Sequence, residues 1–174
     1  MVIGGNDGTW NSESGTLDTF SDIEVITSLH NYDQCDPIRL QYAVADHSSV
    51  ASDQGVITCG GRTSSSCILH SIEDGSRTFP PMTIARFYFG IGIINDVLYA
   101  VGGSGTPAAV GATRGSANTM EKIDLNTETE WTSIDLQFHV EGHCVTSAQT
   151  KLVVTGGFER PDPVTFKVSQ NIKM

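Results

Sequence analysis

Residues 47–60 read HSSVASDQGVITCG, residues 89–102 read FGIGIINDVLYAVG and residues 143–156 read HCVTSAQTKLVVTG; the three align without a gap. Each is a β-prone run, then a polar pair, then a second β-prone run that ends on glycine. The polar pairs are Asp53-Gln54, Asn95-Asp96 and Gln149-Thr150. Two such runs around a short polar turn predict a β-hairpin. A second glycine always follows the first, giving Gly60-Gly61, Gly102-Gly103 and Gly156-Gly157. A fourth pair, Gly4-Gly5, keeps only the stub Val2-Ile3 of the run before it. At a strand end, glycine lets the chain turn at positive φ or lets another backbone come close.

The glycine pairs are 56, 42 and 54 residues apart. A third strand is expected after each loop, at 23–27, 67–72 and 120–125, and a fourth near 40–44, 77–80 and 130–136. Aligning the third strands places Trp131 opposite Phe79, a large ring suited to packing between stacked sheets. Gln34 holds that offset in the first repeat. Four short antiparallel strands repeated at this interval describe a β-propeller blade. A two-sheet sandwich is the alternative, but nothing in a sandwich requires turns and glycines to recur in register. No stretch of ten residues carries a helical period. The expected fold is all-β, an incomplete propeller of about three and a half four-stranded blades. Its divisions are 1–42 (partial blade), 43–84 and 85–138 (blades), and 139–174 (partial or divergent blade).

Residues 82–103 (MTIARFYFGIGIINDVLYAVGG) and 120–134 (MEKIDLNTETEWTSI) resemble a kelch repeat of the animal kelch-like proteins. The resemblance rests on Arg86 before the first strand, the Leu-Tyr-Ala-Val-Gly-Gly run containing Tyr99, the Glu-x-x-Asp third strand beginning at Glu121, and Trp131. It implies a ring of about six blades of about 50 residues, so the chain reads as a fragment of a longer protein or a truncated gene model. It also implies a protein-binding face, often lined by arginines that hold acidic motifs, and a parent that serves as a cullin ubiquitin-ligase adaptor through an amino-terminal BTB region. Arg86 matches one such basic position. Two residues on, where relatives carry a second arginine, stands Tyr88, with Asp46 and Gly142 in the sister repeats. Other kelch proteins bind actin, and galactose oxidase carries a similar propeller; these are the alternative functions.

The 174 residues are 39% hydrophobic and 17% charged, which is neither a disordered nor a coiled-coil composition. No apolar run is long enough for a membrane helix, and the start MVIGGNDG lacks the pattern of a secretory signal. A cytoplasmic location and no membrane partner are expected. The net charge of −10 argues against binding phosphate backbones, so no nucleic-acid partner is expected. Nine acids against one base place −8 of that charge in residues 1–58. Cys35, Cys59, Cys67 and Cys144 have no zinc spacing. Cys59 and Cys67 could face each other across a hairpin, but buried thiols are the preferred reading.

No catalytic residue, cofactor or metal is expected. His139, His143 and Cys144 lie close in sequence, yet His47 and Phe89 hold the repeat position of His143, and a place that accepts His or Phe is structural. No Gly-x-Ser-x-Gly elbow occurs. What remains is a non-catalytic protein-interaction module that binds through its loops at 6–22, 62–66, 104–119 and 158–164. The candidate partner-binding residues are Trp10, Arg62, Arg86, Tyr88 and Arg114. Open strand edges also predict edge-to-edge self-association.

Overall fold

The computed structural model describes residues 2–11, 16–24, 38–39, 45–71, 73–106, 115–116, 118–162, 165–168 and 172–173, with side chains over 45–71, 73–105 and 118–158. The chain is all-β: every described sheet is antiparallel, and no helix occurs among the described residues. No described sheet closes on itself. No helix of the described residues is long and apolar enough to cross a membrane.

The chain divides into two compact units, residues 1–46 and 47–174. The first holds β1 (Val2–Asn11), β2 (Thr16–Glu24) and β3 (Ile38–Arg39), paired in that order. Here the glycine rule does not hold. Gly4 and Gly5 lie inside β1, and a register shift falls between Ile3 and Gly5. The expected loop at 6–22 is largely a hairpin, closed by Asn11 opposite Thr16. The strand expected at 23–27 begins much earlier as β2, and the one expected near 40–44 lies outside the described residues.

The second unit carries the three aligned hairpins. They are β4 (Ser48–Ser52) with β5 (Gly55–Cys59), β9 (Gly90–Ile94) with β10 (Val97–Val101), and β15 (Cys144–Ala148) with β16 (Lys151–Thr155). All three share one register around a two-residue turn: Ser52 opposes Gly55, Ile94 opposes Val97, and Ala148 opposes Lys151. Asn95 and Asp96 turn at φ 49° and 60°, the left-handed pair whose twist suits two-residue hairpins.

β6 (Cys67–Ser71) and β7 (Gly75–Phe79) complete the sheet β4-β5-β6-β7. β13 (Thr119–Asp124) and β14 (Thr132–Asp135) complete β9-β10-β13-β14. The last hairpin adds β19 (Ile172–Lys173). Short extra strands lie between these sheets in sequence. β8 (Ala85–Phe87) pairs with β11 (Ser104–Thr106), which pairs with β12 (Gly115–Ser116); β17 (Phe158–Asp162) pairs with β18 (Thr165–Val168). The expected loops at 104–119 and 158–164 therefore open as strands.

The middle sheet is buried on both faces, and strand alternation divides them. Leu98, Ala100 and Ile123 join Ile57, Leu69 and Phe79 of the preceding sheet in one core. Val101, Tyr99 and Met120 join Val140, Val154 and Leu152 in the next. Trp131 sits in the first core, its indole Nε1 donating to the Pro80 carbonyl at 2.8 Å. Its expected equivalence with Phe79 fails. Phe79 opposes Cys67 and Ile134 opposes Met120, so Ile134 holds the ladder position of Phe79. Seven residues separate β13 from β14 but only three separate β6 from β7, and that difference shifts a gapless alignment. Trp131 instead reaches back from the connection to cover the preceding sheet.

Replacing Trp131 by alanine removes a buried ring and its hydrogen bond, and should cost about 3–5 kcal/mol in urea unfolding. Cys144→Ser at an exposed position should stay within about 0.5 kcal/mol. Equal losses would place Trp131 outside the core.

Candidate protein-binding face

A repeated seat joins consecutive sheets of the second unit. In each glycine pair both residues turn at positive φ, Gly60 and Gly61 at 75° and 124°, Gly102 and Gly103 at 60° and 87°. A Cβ on Gly60 would lie 2.5 Å from the Arg86 carbonyl oxygen and 2.5 Å from the Phe89 ring; one on Gly102 would lie 2.6 Å from the Val140 oxygen and 3.1 Å from the His143 ring. The second glycine of each pair then donates its amide to the same carbonyl, Gly61 to Arg86 and Gly103 to Val140, both at 2.8 Å. Arg86 stands three residues before Phe89, as Val140 stands three before His143. The seat thus receives a strap of fixed pattern, a carbonyl followed at three residues by a ring.

The residue directly before each ring is left-handed: Asp46, Tyr88 and Gly142 have φ of 60°, 55° and 63°. Gly142 donates its amide to the Tyr88 carbonyl at 2.7 Å, linking one strap to the next. Tyr88 pays the steric cost of this conformation for a bulky side chain. In return its side chain projects from the strap, 43% exposed.

Arg86 is not a partner-binding residue. Its side chain is completely buried, and Nε and Nη2 lie 3.0 and 2.9 Å from Glu121 Oε1. Nη1 donates to the carbonyls of Gly102 and Thr119, each at 2.9 Å, and Nη2 to Thr119 Oγ1 at 2.7 Å. The other Glu121 oxygen accepts from the amide and hydroxyl of Thr83, both at 2.7 Å. Burial pushes the Arg86 pKa down, and the Glu121 charge opposes the shift. A buried ion pair is tolerable only when its polar atoms find partners, and here they do. The pair ties the strap at Thr83 and Arg86 to β13 and to the carbonyl of the glycine pair.

The other candidates divide. Arg62 is exposed and donates from Nη2 to the Tyr88 hydroxyl at 3.3 Å. The Tyr88 ring meets Phe87 edge-on, with centroids 5.1 Å apart. Among the described residues Phe158 is the other large exposed apolar side chain, at 45%, and its ring carbons lie about 3.3 Å from where a Cβ on Gly142 would stand. Arg62, Tyr88 and Phe158 therefore follow the line of the straps. Trp10 and Arg114 lie outside the described side chains. Sequence reasoning placed Phe158 in the candidate binding loop 158–164 without singling it out; its signal was its place directly after a glycine pair.

His143 is buried in a seam, against Gly90, Gly102 and Gly157, whereas Cys144 next to it is exposed. Desolvation pushes the His143 pKa down to about 4, and the Val101 backbone opposes it only in part. Among the described residues no three His, Cys, Asp or Glu side chains cluster as metal ligands. Cys59 and Cys67 form a disulfide, in place of the expected thiols. They oppose each other in the β5–β6 ladder with Cα atoms 4.1 Å apart and both sulfurs buried, so a bridge closes the 60–66 loop. At the turn end of the hairpins a cleft of about 300 Å³ runs between two sheets. Arg77 lines it, held by Glu128 at 2.6 Å and Gln54 at 3.0 Å and stacked 4.7 Å from the Phe79 ring centre.

No family model matches the chain, and no curated protein does. Among solved structures the chain is similar to YjhT, with 16% identity, a TM-score of 0.59, and coverage of 66% of this chain and 34% of that one. The likeness is one of fold, and the matched part spans about a third of the YjhT chain.

Protonation of His143 has a defined sign. The unfolded ring titrates near 6.5 and the folded ring near 4. As pH falls, the unfolded chain takes up the proton first, so stability is full above about 6.5 and is lost toward pH 4, by about 3 kcal/mol. His70, also lowered by burial and by His47, contributes in the same direction. His143→Phe, which copies Phe89, should flatten the pH dependence of the urea midpoint between 7 and 4. An unchanged slope would remove His143 from the seam.

Proposed function

We propose that the chain is part of a β-propeller of the kelch type and works as a protein-interaction module with no chemistry of its own. The observation that carries this reading is the exposed pair Tyr88 and Phe158 flanking Gly142, with Arg62 bonded to Tyr88. Exposed aromatics and arginine on a rigid support are the residue types that dominate binding energy at protein interfaces. The support is rigid because the seats and the Arg86–Glu121 pair fix the straps beneath them. Serial stacking of antiparallel sheets with their first strands β4, β9 and β15 adjacent is the arrangement expected of neighbouring blades. The kelch resemblance adds the form in which the module works, choosing substrates for a cullin ubiquitin ligase. With Arg86 buried, Arg62 is the only one of the three arginine candidates with a described exposed side chain, which favours an aromatic-led contact over a basic cradle.

A photo-crosslinking amino acid placed at Tyr88 or Phe158 should capture a discrete polypeptide, and the same probe at Gln54 on the turn end should not. Tyr88→Ser with Phe158→Ser should weaken binding of that polypeptide at least about tenfold while leaving the unfolding midpoint in place. Equal capture from both ends, or full binding by the double variant, would overturn the assignment of the face.

A further inference from the structure

The first glycine of each pair belongs to the seam with the following sheet, and in two copies that seam is filled. Gly60 and Gly102 are buried beneath the Arg86 and Val140 carbonyls. The third copy has the same backbone, with Gly156 and Gly157 at φ 70° and 89°. Gly157 is packed as Gly103 is, against the strap of its own repeat: Glu141 oxygen and His143 Cβ at 2.8 Å, matching Phe87 oxygen and Phe89 Cβ at 2.7 and 2.6 Å. Gly156 differs. It is exposed, and a Cβ there would meet none of the described residues within 4 Å.

We infer that Gly156-Gly157 is a formed docking seat, and that its occupant is a strap of the pattern this chain uses twice, supplied by a further β-repeat. The internal copies specify the chemistry. The incoming segment places a backbone carbonyl on Gly156, where it accepts the Gly157 amide, as Val140 does from Gly103. Three residues later it inserts an aromatic or imidazole ring, as Phe89 and His143 do. The residue between, directly before the ring, is left-handed and donates its amide to the Gly142 carbonyl, as Gly142 does to Tyr88. The strand that follows then lies beside β15, as β15 lies beside β9. Only glycine admits the carbonyl, since at the filled seats any Cβ would approach it to 2.5–2.6 Å. Among the described residues, the Arg86–Phe89 and Val140–His143 straps are both seated, so the occupant is a strap outside these two. This inference is independent of the protein-binding face.

The probe is a capped peptide copying residues 137–148 (QFHVEGHCVTSA), with serine in place of its cysteine, added to the full chain. Hydrogen exchange at the Gly157 amide should slow saturably, by at least about tenfold, while Gly61 and Gly103 are unaffected. Alanine in place of the second histidine of the peptide should weaken the effect. The Gly156→Ala chain, in which the new methyl meets none of the described residues, should keep its circular dichroism and lose peptide protection. Protection that persists in Gly156→Ala, or none at millimolar peptide, would overturn the seat. Gly157 protection that rises with protein concentration alone would give the seat to a second copy, and would overturn the assignment to an outside strap.

Discussion

One amide-to-carbonyl bond, made over a glycine, governs how the sheets of the second unit succeed each other. Gly61 to Arg86 and Gly103 to Val140 are the same contact made twice. A bond of this kind contributes about 1 kcal/mol net. Its importance lies in the close approach that the missing Cβ permits. That approach brings Phe89 and His143 into their seams and sets the line along which Tyr88 and Phe158 emerge. The Arg86–Glu121 pair reinforces the first seat from behind, because Arg86 supplies its carbonyl to Gly61 and its guanidinium to the carbonyl of Gly102. One residue thereby touches two successive glycine pairs.

The seams differ in chemistry. The first is apolar, built from Ile57, Leu98, Phe89 and Trp131. The second replaces the phenylalanine with His143, whose ring stays neutral at ordinary pH because burial opposes its charge. A single repeat position thus separates a seam filled by a phenylalanine ring from one whose ring weakens it in acid. Tyr88 gives a parallel contrast. Its left-handed backbone is shared with Asp46 and Gly142, but only tyrosine makes of that turn an exposed aromatic.

The hairpins and their two-residue turns were legible in the sequence because alternating β-prone runs and glycine pairs are local signals. What lay across the chain was not. Arg86 read as an exposed basic position because nothing near it in sequence marks Glu121, 35 residues away, as its partner. Cys59 and Cys67 are eight residues apart, and sequence does not fix a ladder register tightly enough to require a bridge. The Phe79–Trp131 equivalence failed on the length of one connection, which a gapless comparison cannot register. Segments 104–119 and 158–164 lack the β-branched runs that mark strands, yet they begin as strands because straps pair with them: Phe87 opposes Ser104, and Glu141 bridges Phe158. The exposed Tyr88–Phe158 face depends on those pairings, so the residues could be named in part but not assembled.

The most direct measurement compares urea unfolding of Gly60→Ala, Gly102→Ala and Gly156→Ala in the full chain. All three carry the cost of a side chain at positive φ, about 1–2 kcal/mol. At Gly60 and Gly102 the methyl also collides with the seated carbonyl, so those two variants should lose several kcal/mol more, in the range of severe overpacking and a lost buried hydrogen bond. Equal losses at all three positions would contradict a fold held in series by glycine seats.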